Sequence, residues 1–246
     1  MKTNHQEKIL KLLEENQFLK VEEIAERIFL SPSSVRRALN TLQQTGLITR
    51  VHGGAKLNNE NNFSPSFTFR IHQNSFEKKK IALSAIKLIK DGDVIFLDGT
   101  TSAFFIAEYL SQFSNIKVIT NGIDTLSLLS KKGVTAYSTG GQVSKENPSV
   151  LVGRYAENTI NNFHADITFF SAQSINTDGE IYDCFEEENF IRRAMIRNSK
   201  TNVFLCDDAK FNRTSHYRLC SVNDIEYVVS NTEQDFIDKN KLIVSN

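Results

Sequence analysis

The sequence predicts an α/β protein in two unequal parts. Residues 1–57 read as short helices closed by a β-hairpin, and residues 78–246 as helices and strands alternating around a mainly parallel sheet. Three observations predict this. Apolar residues recur at helical spacing three times before residue 45, a paired glycine follows a short alternating run at 47–51, and from Lys78 onward brief β-rich runs are separated by helical patterns.

Ile9, Leu10, Leu12 and Leu13 mark a first helix from about His5 to Asn16, and Phe18-Leu19 form its apolar exit. A second helix begins at Val21 or Glu22 and turns Ile24, Ala25 and Ile28 inward. Only a tight turn around Phe29-Leu30 fits before the next helix, which is helix-turn-helix spacing. Ser31 caps the third helix, and Pro32 takes the first helical position, where its missing N–H would have no partner anyway. Val35, Ala38, Leu39 and Leu42 face inward. Ser33, Arg37, Asn40 and Gln44 face outward, with Ser34 and Arg36 on the flanks. Gly46 ends the helix, Leu47 to Val51 alternates as a strand, and Gly53-Gly54 turns into Ala55 to Leu57, making a wing.

The outward face has the chemistry of a nucleic-acid surface. Between Arg27 and Asn59 the bases are Arg27, Arg36, Arg37, Arg50 and Lys56, with no Asp or Glu among them. Formal charge is zero overall, yet residues 1–56 hold nine Lys/Arg against six Glu, leaving +3 there and −3 in the remainder. Basic groups neutralise phosphates, while Arg, Asn and Ser near the start of such a helix can reach base edges. The candidate DNA-binding residues are Ser31, Ser33, Ser34, Arg36, Arg37, Asn40, Arg50, His52 and Gly53, the last three laid by the wing beside the backbone or minor groove. Double-stranded operator DNA is the expected partner. The bland alternative is an ordinary structural subdomain with solvated arginines, against which charge depletion, cap and spacing agree.

The run from Ser31 through Ala55 resembles the winged helix-turn-helix of DeoR-type bacterial transcription regulators, whose pattern is S-x-x-T-I-R-R-D-L followed downstream by R-x-H-G-G-A. This chain has Ser31, Ser34, Val35, Arg36, Arg37, Ala38 and Leu39, then Arg50, His52, Gly53, Gly54 and Ala55. Ser34 stands for Thr and Ala38 for Asp. Losing that carboxylate makes the helix more basic and frees whichever guanidinium it would orient.

Residues 58–77 change character, being rich in Asn, Ser and Phe, and read as a linker whose phenylalanines suggest docking. It is a candidate oligomer interface. Beyond it, helices are expected over Lys78 to Ile89, Thr101 to Leu110, Ile123 to Ser130, Arg154 to Asn162 and Glu186 to Asn198. Strands are expected at 94–98, 117–120, 134–139, 166–170, 202–206, 225–229 and 242–245. Apolar strands separated by helices imply a sheet covered on both faces.

In such sheets ligands bind beyond the carboxyl ends of the strands. Those ends read Asp98-Gly99-Thr100-Thr101-Ser102, Asn121-Gly122, Gly140-Gly141, Ser171-Ala172-Gln173 and Asp207-Asp208-Ala209-Lys210. Glycine permits close backbone approach, and hydroxyls at a helix N-terminus form an anion site. Turn chemistry explains any one of these ends, but together they point to a phosphorylated or otherwise anionic small ligand. Glu186, Glu187 and Glu188 open a helix, where carboxylates suit the N-terminal dipole.

The resemblance continues through IFLDGTTS, VITNG, STGG, FEEENFIRRAMI and LCDDAKF, so it spans nearly the whole chain. It implies an effector domain similar in fold to ribose-5-phosphate isomerase that senses a phosphorylated sugar. The residues it favours for that effector are Asp98, Gly99, Thr100, Thr101, Ser102, Asn121, Gly140, Gly141, Glu186, Glu187, Asp207 and Lys210. The usual D-x-G-T-T has its glycine one place earlier here, which reshapes the loop.

Composition excludes several classes. The N-terminus is charged throughout, and no uncharged apolar run approaches the roughly 20 residues a membrane span needs, so a soluble, cytoplasmic protein is expected. Cys184, Cys206 and Cys220 form no C-x-x-C pair and read as reduced thiols. The five histidines lack ligand spacing, so neither metal nor cofactor is expected. A homo-oligomer presenting two recognition helices is the expected assembly. The leading function is a repressor of a carbohydrate-metabolism operon; the alternative is a sugar-phosphate isomerase or hydrolase using Asp98, the Glu186–Glu188 cluster, Asp207 and Lys210.

Overall fold

The computed structural model describes residues 2–16, 18–44, 48–51, 53–57 and 67–245. The chain divides into two compact units, Met1–Gln73 and Asn74–Asn246.

In the first unit, α1 (Lys2–Glu15), β1 (Leu19–Lys20), α2 (Val21–Arg27), α3 (Pro32–Gln44), β2 (Ile48–Val51) and β3 (Gly54–Leu57) follow the expected order. Ile9, Leu13, Ile24, Val35, Leu39, Leu42 and Ile48 are buried in one cluster, so the helical stripes legible in the sequence converge as the core. β3 pairs antiparallel with both β2 and β1, and Leu19 is therefore strand rather than merely a helix exit. Gly54 makes this close pairing possible: a Cβ there would lie 2.3 Å from the Leu19 carbonyl oxygen and 2.5 Å from the Phe18 ring. His52, Gly46 and Leu47 lie outside the described residues.

The segment 58–77 differs from expectation. Residues 58–66 lie outside the described residues, but α4 (Phe67–His72) is helical, and Phe69 is buried in the N-terminal core. Helix α5 (Ser75–Ala85) opens the second unit earlier than residue 78. Two of the linker's phenylalanines, Phe67 and Phe69, belong to a folded helix, and burying them offsets the cost of ordering it.

The turn between α2 and α3 carries a strained residue. Phe29 has φ +55° and is 93% exposed. A bulky side chain in the left-handed region costs about 1–2 kcal/mol, and here no burial offsets it. Phe29→Asn is expected to stabilise the N-terminal unit by about 0.5–1 kcal/mol, read as a raised urea midpoint, because asparagine tolerates this backbone. An unchanged or lowered midpoint would count against the strain.

The second unit continues with β4 (Val94–Leu97), α6 (Thr101–Ala107), β5 (Lys117–Thr120), α7 (Ile123–Lys131), β6 (Ala136–Ser138), β7 (Gln142–Val143), β8 (Leu151–Val152) and α8 (Arg154–Asn161). It then runs through β9 (Ala165–Phe170), β10 (Ser174–Ile175), β11 (Glu180–Asp183), α9 (Glu186–Arg197), β12 (Ser199–Cys206), β13 (Tyr217–Ser221), β14 (Tyr227–Ser230) and β15 (Leu242–Val244). Seven strands form one sheet in the order β15-β14-β12-β9-β4-β5-β6, every pair parallel. Ile167, Thr168, Phe169 and Phe170 are all buried, so both faces of β9 are covered and alternation is absent. Two elements go beyond the sequence reading: the antiparallel sheet β10-β11-β13 and the ribbon β7-β8. The helix expected through Ile89 ends at Ala85 and tightens into a 3₁₀ turn over Ile86–Leu88.

Candidate functional site

On the basic face of the first unit, Ser31 Oγ accepts the Ser34 N–H at 3.2 Å and lies 2.9 Å from the hydroxyls of Ser33 and Ser34, closing the first turn of α3. Arg36, Arg37 and Asn40 are exposed. The acid-free stretch is not free of carboxylates in space, because Glu22 of α2 pairs with Arg36 at 3.2 Å. Arg37 has no side-chain partner among the described residues. Arg50 reaches from β2 to α3 and donates to Asn40 Oδ1 at 2.7 Å. Gly53 turns the wing with φ +80°, and its carbonyl accepts the Val21 N–H at 2.9 Å.

In the second unit the sheet order itself defines a crevice. From β4 the chain proceeds outward to β5 and β6, then returns to β9 on the other side of β4, so the topological switch lies between the ends of β4 and β9. Asp98, directly after β4, spans that switch. Its Oδ1 accepts from the Thr100 N–H and hydroxyl at 3.1 and 2.6 Å, and its Oδ2 from the Ser171 N–H at 3.1 Å and Arg192 Nε at 3.0 Å. Only 1% of Asp98 is exposed. Its acceptor positions are filled by protein groups, and its role in this geometry is to fix the two strand ends.

Arg192, absent from the sequence-derived set, is the hub of a buried ionic cluster. Besides Asp98 it meets Asp183 Oδ2 through Nη1 at 3.1 Å and Glu188 Oε2 through Nη2 at 2.8 Å. The remaining carboxylate oxygens are also satisfied: Asn147 Nδ2 donates to Glu188 Oε1 at 2.8 Å and the Cys184 N–H to Asp183 Oδ1 at 2.7 Å. Burial alone would lower the arginine's proton affinity, but Asp183, Glu188 and Asp98 more than offset it and hold the guanidinium charged. Burial also pushes up all three thiols, Cys184 and Cys220 to about 12, with Asp183 and Asp224 adding to the effect at each. No disulfide joins the three.

A segment from Ser144 to Val152 crosses the ends of β4 and β5. Ile123 N–H donates to the Ser149 carbonyl at 2.9 Å, Leu151 N–H to the Asn121 carbonyl at 2.8 Å, and Asn121 Nδ2 to the Leu151 carbonyl at 3.1 Å. Gly99 is required by this crossing: a Cβ there would sit 2.3 Å from Val150 Cγ1. That contact accounts for the displaced glycine of the D-G-T-T-S loop.

The strand-end residues therefore separate into groups. Asp98, Thr100, Ser171 and Lys210 form one hydrogen-bonded chain, since Lys210 Nζ donates to Ser171 Oγ and the Ala172 carbonyl, each at 2.7 Å. Asp207 accepts from Asn74 Nδ2 at 3.1 Å and stands 4.0 Å from Lys210 Nζ. Thr101 and Ser102 are buried, and their hydroxyls have no hydrogen-bond partner among the described residues. The buried Asn121 Oδ1 and Thr125 Oγ1 also have none. Helix α6 spans only Thr101–Ala107, so hydroxyls and the lysine, more than a helix dipole, are what this end offers an anion. Gly140 and Gly141 are exposed beyond β6, and Glu186 and Glu187 are exposed at the start of α9; Glu188 alone of the three glutamates enters the cluster.

Fold and sites define a class: a winged helix-turn-helix unit joined to a parallel α/β sensor unit. Residues 5–61 match the DeoR-like helix-turn-helix domain and residues 73–232 the DeoR C terminal sensor domain. The chain belongs to the DeoR family of transcriptional regulators. It is 31% identical to the HTH-type transcriptional regulator GolR of Listeria innocua, over 93% of this chain and 90% of that protein. It is 29% identical to the glycerol-3-phosphate regulon repressor of Haemophilus influenzae, over 98% and 96%. Among solved structures, ribose 5-phosphate isomerase A from Methanocaldococcus jannaschii is similar over 56% of this chain and 55% of its own, with 18% identity and a TM-score of 0.43. Among the described residues no helix is long and apolar enough to cross a membrane, and no group of His, Cys, Asp and Glu is arranged to hold a metal ion.

Proposed function

We propose that the chain represses a carbohydrate-metabolism operon and is controlled by a phosphorylated sugar bound at the strand ends of its second unit. The observation that carries the effector reading is the unspent polarity beside the topological switch. Asn121 Oδ1 and Thr125 Oγ1 are buried without protein partners, the buried residues Thr101 and Ser102 bring two further hydroxyls to the start of α6, and Lys210 supplies a positive charge among the same strand ends. Buried polar atoms are costly unless paired, and a hydroxylated anion pairs them. In this proposal Thr100, Gly140, Gly141, Glu186, Glu187 and Asp207 are further candidate contacts, and Asp98 and Gly99 act by holding the strand ends in shape. The regulon named for the Haemophilus relative is itself one of a phosphorylated polyol, consistent with this ligand class.

Binding rather than turnover is the reading, because three of the carboxylates an isomerase or hydrolase would draw on, Asp98, Glu188 and Asp207, are committed to protein groups. Asp98 and Glu188 are buried and bonded at both oxygens, and Asp207 is held by Asn74. For control, the effector must prefer one conformational state; a tenfold preference supplies only about 1.4 kcal/mol, so a dimer with two coupled sites is part of the proposal.

The experiment is a panel of pentose and hexose phosphates added to the full-length protein, with thermal stability, operator retention and product formation followed together. Stabilisation with operator release and no product supports the proposal; product formation sinks it in favour of the enzyme. Thr101→Val keeps side-chain volume but removes the hydroxyl. It is expected to raise the effector concentration for half-release by roughly 10- to 150-fold, the equivalent of about 1.5–3 kcal/mol for a hydrogen bond to a charged group. Retained sensitivity would discard Thr101 as a ligand contact.

A further inference from the structure

Arg50 sits on the wing strand β2 opposite Ala55, where the sequence reading makes it a phosphate contact. Its Nη1 instead lies 2.7 Å from Asn40 Oδ1. A guanidinium has only donors, so the amide atom facing it must be the oxygen. An exposed asparagine is ordinarily free to turn its amide over; this one has its orientation chosen by the neighbouring strand. The consequence is directional. Both N–H groups of Asn40 point away from Arg50, on the same exposed helix face as Arg37 one turn earlier. Arg36 is meanwhile drawn to Glu22 at 3.2 Å, whereas Asn40 and Arg37 stay outward on this face.

We propose that Arg50 is a positioning residue that fixes Asn40 as a hydrogen-bond donor, and that the pair selects against cytosine at one strand position of the operator in favour of a base whose major-groove edge accepts. The inference rests on the reading that α3 enters the major groove. There, purine N7 and thymine O4 accept a hydrogen bond, whereas the exocyclic amine of cytosine donates one. An amide locked with its N–H groups forward matches the first and opposes the second. An amide free to flip discriminates less between them.

The test uses the full-length protein and a selection from randomised duplex DNA, followed by affinities on duplexes varied one position at a time. Asn40→Ala and Arg50→Ala are each expected to lose about tenfold of preference at the same single base pair, as for one base contact removed. The double variant is expected to be no worse there than either single variant. Asn40→Asp keeps an acceptor for Arg50 and removes the donors, so the preference at that position should move toward cytosine while the thermal midpoint confirms folding.

The proposal is overturned if Arg50→Ala weakens all duplexes alike, lowers the salt slope by about one and leaves the discrimination against cytosine intact, the behaviour of a phosphate contact. It is equally overturned if Asn40→Ala leaves a selected site unchanged, although the recognition helix would then stand. A wild-type protein that selects no sequence would remove both the pair and the reading of α3 beneath it.

Discussion

Replacing Arg192 by alanine is expected to destabilise the second unit by about 3–5 kcal/mol, the cost of breaking a buried ion pair by removing one partner. Here the loss is compounded, because Asp98, Asp183 and Glu188 all turn toward the one guanidinium and all are nearly inaccessible. A domain of this size is stable by about 5–15 kcal/mol, so the change consumes a large part of the total. Urea unfolding of the full-length variant should show a correspondingly early transition for the second unit. A variant as stable as the wild type at neutral pH would show that the cluster is not what holds the strand ends together.

The second large effect is at the other end of the chain. Arg37→Ala is expected to weaken operator binding by about 1–3 kcal/mol, or roughly 5- to 150-fold, if its unpaired guanidinium makes a bidentate base contact. Arg36→Ala should cost less, since Glu22 already occupies that guanidinium in the free protein. Equal losses from the two would indicate that both neutralise phosphates and that neither reads sequence. The measurement is an operator titration at two salt concentrations, which separates a lost base contact from a lost phosphate contact by the change in slope.

The contrast between the two ends also explains what could be read from the sequence. The N-terminal unit was legible because its signals are local: a Ser-Pro helix start, apolar stripes at helical spacing, and Gly53-Gly54 at the wing turn. The seven parallel strands were legible for a related reason, since runs such as Val94–Leu97 and Val203 to Cys206 are apolar throughout and have no alternative to burial. The pieces that escaped depend on long-range partners. β10 is only two residues long, and β11 pairs with β13 across residues far apart in the chain, so periodicity alone does not mark them. Phe67 and Phe69 read as docking residues of a linker, but their helix is decided by the core that Phe69 enters.

The site shows the same division. The polar residues after each strand were identifiable from topology, while the division of labour among them was not. Asp98 reads like a ligand contact until Arg192 is found behind it. The available signal lay within α9: Glu188, Ile191, Arg192 and Met195 share one buried stripe, so a carboxylate and a guanidinium four residues apart occupy positions where helical periodicity calls for apolar side chains. Charged residues on a buried stripe are expected to meet one another, and here they do. Glu186 and Glu187, which lie off that stripe, remain exposed.

The central claim is that a metabolite held at the strand ends governs the DNA affinity of the winged unit. The most direct measurement is the affinity of the full-length protein for its upstream promoter fragment at fixed salt, with a phosphorylated sugar titrated in and the same sugar without its phosphate as control. The account predicts that DNA affinity falls at least tenfold with the phosphorylated compound and is unchanged by the control. A promoter affinity indifferent to every phosphorylated sugar, in a protein whose second unit those sugars nonetheless stabilise, would contradict it.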